Sequence, residues 1–218
     1  MKIKAVILDC DGTMFDTEFL SMQSFQIIAD SINFKLPDDF FQQIIGTTRA
    51  HIIEYLKDYP EYLAVFPQIY VKWVELIKEA CTHQDSLNKP GLIGLLDYLS
   101  THDVKFAIAS SSHKDHVEGL VNHMSKHYDF DAIITGEQVK NSKPAPDIFI
   151  KASEVLGVKP DECLVIEDSK NGILAARNAK MHNIFIEDKI KFDENDYRNV
   201  DHECHDLNEV ITYLKSIA

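Results

Sequence analysis

The sequence predicts an α/β protein: a doubly wound parallel sheet with a helical module inserted after its first strand. Three observations carry that expectation. Short apolar runs that each end on a polar residue recur along the chain: AVIL before Asp9, KFAIAS at 105–110, FDAIIT at 130–135, CLVIED at 163–168 and HNIFIE at 182–187. Between the later runs, His113–His127, Pro146–Leu156 and Asn171–Lys180 are long enough for crossover helices, the βα rhythm of a parallel sheet. Between the first run and Lys105 lie about ninety residues, far more than a crossover needs.

That long interval supplies the second module. Its apolar positions fall at helical spacing in Phe19–Ile28, Ile44–Leu56 and Phe66–Ile77, and runs of β-branched residues are absent. The expected boundaries are 17–88 for the helical insert, closed by Lys89-Pro90-Gly91, with 1–16 and 89–218 forming the catalytic core. After Glu187 the chain turns acidic and poor in large apolar groups. Most of that stretch reads as solvated loop, before a short final helix around Leu207–Ile217.

The 218 residues, 45% of them hydrophobic, are enough for a real core in one or two domains. With 22 Lys+Arg against 35 Asp+Glu the net charge is −13, which argues against a nucleic-acid partner or an anionic membrane surface. Cys10, Cys81, Cys163 and Cys204 are far apart and never form a CxxC pair, so reduced, cytoplasmic thiols are the expectation. The first apolar run is too short for a signal-peptide core or a membrane span. A monomer or weak dimer is expected.

Chemistry concentrates at the carboxyl ends of the predicted strands, where open α/β sheets bind ligands. Asp9 and Asp11, two apart on an extended segment, point the same way, and a divalent cation is the obvious means of holding both ionised. Read alone, the pair is also compatible with a solvated turn. Asp168, beside Glu167, adds carboxylates after another strand, and an all-oxygen set without nearby His or Cys fits Mg²⁺. Asp168 can instead cap the following helix. Ser110-Ser111-Ser112 offers hydroxyl and backbone N–H groups for an anion, in a geometry that also caps a helix. Lys143, held before Pro144-Ala145-Pro146, supplies a point charge suited to phosphate or to an anionic nucleophile, or is a surface lysine. His113 and His116 read as helix residues, and no GxSxG nucleophile elbow is present.

Taken in order, DCDGT at 9–13, Ser110 after an apolar strand, SKPAPDIF at 142–149 and VIEDSKNGILAA at 165–176 resemble the haloacid dehalogenase-like superfamily. The similar branch has an α-helical cap and includes phosphoglycolate phosphatase and beta-phosphoglucomutase. The resemblance implies a Rossmann-like sheet of strand order 5-4-1-2-3. It implies Asp9 as the nucleophile that becomes an aspartyl phosphate, Asp11 as general acid and base, and Lys143 as the cation neutralising nucleophile and phosphoryl group. It further implies phosphate binding by Ser110 with Ser111, and Mg²⁺ held by Asp9, the Asp11 backbone carbonyl and Asp168, with Glu167 as a further or water-mediated ligand.

Substrate choice falls to the insert. Thr17 and Glu18, in a stretch resembling the family's DTE, either face the site or cap the first helix, and Arg49 either anchors a second anionic group or is solvated. The histidine that phosphoglucomutase-like enzymes carry just after that stretch is missing from Phe19-Leu20-Ser21-Met22-Gln23, which favours hydrolysis over rearrangement. Ala179-Lys180-Met181 lacks the family's usual glycine, so an altered or strained turn is expected. His202, Cys204 and His205 can hold a soft metal or be incidental. The aromatic series Tyr55, Tyr59, Tyr62, Phe66, Tyr70 and Trp73 is read as packing within the insert, with a partner surface as the alternative. The expected function is a Mg²⁺-dependent phosphatase of a small phosphorylated metabolite; a phosphosugar mutase and an inactive ligand- or protein-binding relative are the alternatives.

Overall fold

A computed structural model describes residues 2–44, 49–81, 83–189 and 191–217. Six strands form one sheet: β1 Ala5–Leu8, β2 Lys105–Ser110, β3 Ala132–Thr135, β4 Cys163–Glu167, β5 His182–Ile186 and β6 His202–Cys204. Their order is β3-β2-β1-β4-β5-β6, with every neighbouring pair parallel. The expected 5-4-1-2-3 arrangement is therefore present, extended by β6 beyond β5. Residues 202–204, expected within solvated loop, are a strand, and the physical reason lies in side chains. Asn183 on β5 and Asp201 exchange hydrogen bonds, Asn183 N–H to Asp201 Oδ2 at 3.1 Å and Asp201 N–H to Asn183 Oδ1 at 3.0 Å. That pairing fixes the chain against the sheet edge, where Cys204 is buried. His202 stacks on Tyr213, with ring centroids 4.3 Å apart.

The helices are α1 Glu18–Ser31, α2 Phe40–Ile44, α3 Arg49–Tyr55, α4 Pro60–Leu63, α5 Phe66–Ala80, α6 Leu92–Thr101, α7 Lys114–Asn122, α8 Asp147–Leu156, α9 Lys170–Asn178, α10 Glu194–Tyr197 and α11 Leu207–Ile217. None of the described helices is long and apolar enough to cross a membrane. The α6 segment, LIGLLDYLST, is a helix beyond those expected from the sequence; Leu92, Leu95, Leu96 and Leu99 are its buried side.

Strand alternation divides the core. Side chains two apart on a strand share a face, so Val6 and Leu8 join one apolar layer with α6, α7 and α11, whereas Ala5 and Ile7 join the other with α8 and α9. All four β1 residues are buried, as expected for a strand covered on both faces. A third apolar cluster is built from the insert alone, around Phe25, Phe40, Leu56, Tyr62 and Ile69. Tyr62 is fully buried and donates its hydroxyl to the Phe25 carbonyl at 2.6 Å. Most of the aromatic series packs here, but Tyr70 is about half exposed and Trp73 points elsewhere.

The two connections between core and insert run side by side. Asp16 N–H donates to the Leu87 carbonyl at 2.7 Å and Lys89 N–H to the Met14 carbonyl at 2.9 Å, with Phe15 and Asn88 paired antiparallel. Met14 and Phe15 are buried, so this crossing point is anchored in the core. It delivers Thr17 and Glu18 directly above the end of β1.

The turn after α9 carries the strain expected from its missing glycine. Lys180 has φ of 59°, and the chain closes with Met181 N–H to the Ala176 carbonyl at 3.0 Å and Lys180 N–H to the Arg177 carbonyl at 2.9 Å, a Schellman pattern. A left-handed conformation costs a residue with a Cβ about 1 kcal/mol. Lys180 is exposed, so Lys180→Gly is expected to raise the urea midpoint, corresponding to about 0.5–1 kcal/mol of added stability; a midpoint equal to or below that of the parent would show the turn to be unstrained.

Candidate active site

Strands β1, β2 and β4 are neighbours, and their carboxyl ends bring Asp9, Ser110 and Asp168 to one cavity of about 410 Å³. Asp11, Thr17, Glu18, Ser111, Lys143 and Glu167 line the same cavity. Of the residues expected at the site, only Arg49 is not placed there: its backbone opens α3, and its side chain lies outside the described residues.

Lys143 is the organising cation. Its ammonium donates to Asp9 Oδ1 at 2.5 Å, to Glu167 Oε1 at 2.8 Å and to the Ala109 carbonyl at 3.2 Å. Burial works to lower its pKa, but the carboxylates of Asp9 and Glu167 hold it above the ordinary lysine value. Burial pushes Asp9 up to about 8, against the pull of Lys143 and with a further push from Glu167. Glu167 is itself fixed on both oxygens, since Oε2 accepts the Ser169 N–H at 2.6 Å. Both Glu167 oxygens thus accept a protein hydrogen bond, one from Lys143 and one at the start of α9.

Asp168 and the helix cap separate cleanly. Ser169 caps α9, its hydroxyl accepting the Gly172 N–H at 3.0 Å, so Asp168 is not spent on that task. It accepts from Thr13 Oγ1 at 3.1 Å through Oδ1. Burial, with the charges of Glu167 and Asp9, pushes Asp168 well above the carboxylate range. Two glycines make these approaches possible. Gly12 has φ of 84°, and a Cβ there would lie 2.2 Å from Asp168 Oδ2; at Gly172 a Cβ would lie 1.7 Å from Glu167 Oε1.

Asp11 sits in a different setting. Oδ1 accepts from Thr17 Oγ1 at 2.7 Å and faces His116 Nε2 at 2.8 Å, and Oδ2 accepts from Ser112 Oγ at 2.7 Å. Burial works to raise its pKa, yet the hydrogen bond and charge of His116, together with Ser112 and Thr17, bring it down to about 2. Thr17 therefore faces the site and makes no side-chain cap bond to α1. Glu18 lines the cavity, and burial, with Asp11, Asp188 and Asp16 nearby, pushes it up to about 7.

His116 and Trp73 are the participants that sequence reading missed, and Ser112, expected to offer its hydroxyl to an anion, donates it to Asp11 instead. The sequence signal for His116 was proximity: it follows Ser110 closely, where a strand end passes into the first turn of α7. Trp73, on α5, lies with its ring 4.9 Å from that of His116, and nothing local in the sequence couples those two positions. Ser110 Oγ accepts the Ser112 N–H at 3.1 Å, which leaves its own hydroxyl proton for an anion in the cavity.

The donor chemistry fits a hard divalent cation. Asp9 and Asp168 are buried, lie at the ends of adjacent strands, and each keeps one oxygen, Oδ2, without a protein donor among the described residues. The lysine charge is shared between Asp9 and Glu167, leaving Asp168 uncompensated. No three His, Cys, Asp or Glu side chains among the described residues form a ready ligand cluster. A cation here would take the carboxylates of Asp9 and Asp168, the Asp11 backbone carbonyl and water, the oxygen-rich, partly hydrated set that Mg²⁺ prefers.

The chain matches the model of the family described as haloacid dehalogenase-like hydrolase over residues 6–186. It is 28% identical to a phosphorylated carbohydrates phosphatase of Thermotoga maritima, with 84% of each chain covered. It is 30% identical to a Drosophila melanogaster protein named probable pseudouridine-5'-phosphatase, covering 86% of this chain and 83% of that one. Among solved structures, a HAD hydrolase of family IA, variant 3, from Entamoeba histolytica superposes with a TM-score of 0.77 at 27% identity, covering 95% of each chain.

The closeness of α9 to Glu167 yields a test of the site's packing. Gly172→Ala is expected to destabilise the protein by about 1–3 kcal/mol in urea unfolding, because the methyl group must displace Glu167 from Lys143. Unchanged stability would show that Glu167 is not held where the geometry has it.

Proposed function

Because this chain belongs to the haloacid dehalogenase-like hydrolase family, we propose that it is a Mg²⁺-dependent phosphatase acting on a small phosphorylated carbohydrate through an aspartyl-phosphate intermediate. The observation that carries the reading is the Lys143 ammonium set between Asp9 and Glu167 in the lining of a cavity that also presents Ser110 and the separately held Asp11. The names of the Thermotoga and Drosophila relatives, both phosphatases of sugar-containing phosphates, support the substrate class.

The chemistry divides between the two carboxylates. An Asp9 oxygen forms a bond to phosphorus as the ester P–O bond breaks, and the departing oxygen takes a proton from Asp11. In the second half Asp11 accepts a proton from water, the water oxygen bonds to phosphorus, and the bond to Asp9 breaks to release inorganic phosphate. As held by Thr17, Ser112 and His116, Asp11 is ionised and ready as the base. Its acid role requires a proton and release of part of that grip. Ser110 and Lys143 hold the phosphoryl oxygens, with Ser111 beside them. A bound Mg²⁺, held by Asp9 and Asp168, would add positive charge against the phosphoryl oxygens. The insert, residues 17–88, is proposed as a cap over this cavity.

Phosphate release from a panel of sugar phosphates with Mg²⁺ checks this reading. Release is expected to fall to background in Asp9→Asn and on chelation with EDTA, and to return when Mg²⁺ is restored. Release that persists in Asp9→Asn would overturn the aspartyl-phosphate mechanism, and isomerised sugar phosphate without free phosphate would point to a mutase.

A further inference from the structure

The three side chains that hold the Asp11 carboxylate are not chemically equivalent. Oδ1 accepts from Thr17 Oγ1 at 2.7 Å and faces His116 Nε2 at 2.8 Å, whereas Oδ2 accepts from Ser112 Oγ at 2.7 Å. A carboxylate oxygen has two lone-pair positions. Both are therefore taken on Oδ1, and one stays open on Oδ2 among the described residues.

The partners differ in what they can do once Asp11 takes up a proton. A hydroxyl turns its O–H and accepts as readily as it donates, so Thr17 and Ser112 can each follow such a change. His116 cannot: opposite an ionised carboxylate, which only accepts, Nε2 carries the hydrogen and has no lone pair to offer. A proton placed on Oδ1 would displace His116 or Thr17. On Oδ2 it enters the open position and loosens only the bond to Ser112.

The surroundings separate the two oxygens in the same way. Thr17 and Ser112 line the catalytic cavity, but His116 does not; it lines a neighbouring, largely apolar cavity of about 500 Å³ with Phe25, Phe66 and Ile69, and so reaches Asp11 from outside the catalytic space. The imidazole is itself held. Glu137 Oε2 accepts the Lys114 N–H at 3.0 Å and Val117 is fully buried, which fixes the first turn of α7. Trp73 lies against the ring, with centroids 4.9 Å apart, and only 14% of the His116 side chain is exposed.

We propose that His116 is a positioning residue for the reaction: by pinning Oδ1 it reserves Asp11 Oδ2 as the oxygen that exchanges protons with substrate and water. This rests on the phosphatase reading and goes beyond it in naming the working oxygen and the residue that orients it. In the first half, an Asp9 oxygen bonds to phosphorus, the ester P–O bond breaks, and the departing oxygen takes the proton from Oδ2. In the second, Oδ2 takes a proton from water as the water oxygen bonds to phosphorus and the bond to Asp9 breaks.

Two kinds of ester separate this role from a structural one. Ribose 5-phosphate and glucose 6-phosphate release an alkoxide that needs a proton, whereas p-nitrophenyl phosphate releases a phenolate that does not. The variants are His116→Gln, whose amide N–H reaches about as far as Nε2, and His116→Asn, one methylene shorter. In His116→Asn, kcat/KM is expected to fall at least about tenfold for the sugar phosphates and less than about threefold for p-nitrophenyl phosphate. His116→Gln is expected to stay within about threefold of the parent on every ester. Circular dichroism establishes that the variants are folded; should His116→Asn unfold, His116→Met, which fills the space without an N–H, takes its place. Equal losses on both kinds of ester, no loss on either, or the same loss in His116→Gln as in His116→Asn would overturn the positioning role and leave the phosphatase standing. No release from any ester by the parent would remove the phosphatase reading, and the positioning role with it.

Discussion

One ammonium group among buried carboxylates is the constraint on which the site depends. Lys143 bridges Asp9 and Glu167, two carboxylates from adjacent strands that would otherwise repel in a poorly solvated place. Removing either partner would leave an uncompensated buried charge. The surrounding backbone answers to the same requirement: Ser169 N–H steadies the far oxygen of Glu167, and Gly172 leaves room for the near one. Asp168 remains outside this bridge, buried among carboxylates that push its pKa up, and that unfavourable crowding is what a hard cation would relieve.

A second centre, at Asp11, joins the modules. Thr17 reaches it from the connection to the insert, while Ser112 and His116 reach it from the start of α7. Trp73 brings α5 against His116, so the insert reaches the surroundings of Asp11 both through its first connection and through its longest described helix. The two carboxylates of one DxD motif thus occupy opposite environments. Asp9 is pushed toward protonation by burial, and Asp11 is held ionised by three donors. Placing similar groups in dissimilar surroundings is how a site assigns a nucleophile and an acid–base group to neighbouring residues.

Most of the fold was legible because strong local signals coincided with it. Apolar runs ending at Asp9, Ser110, Thr135, Glu167 and Ile186 mark the parallel strands, and the oversized gap after β1 marks the insert. Weak signals failed. The three-residue β6 has one apolar side chain and depends on Asn183 meeting Asp201 across 18 positions, and α6 was passed over as part of a long interval although its leucines repeat at helical spacing. At the site, Asp9, Asp11, Ser110, Lys143 and Asp168 could be named because each stands at a strand end or rigid turn. That Glu167 faces Lys143 was not legible, because sequence adjacency to Asp168 says nothing about a contact 24 positions away.

By itself the sequence determined which side chains stand at strand ends, since alternation and burial on a strand are local properties of the chain. The family resemblance implied an altered or strained turn at Ala179-Lys180-Met181, and the structure puts Lys180 there at a φ of 59°. The tertiary structure alone decided which of these groups meet. His116 on Asp11, Trp73 on His116, and the apolar cavity beside the carboxylates all join residues tens of positions apart, on elements whose separation is fixed by packing rather than by sequence distance. A hydrogen bond or ring contact acts over a few ångströms, and only the assembled layers set distances on that scale.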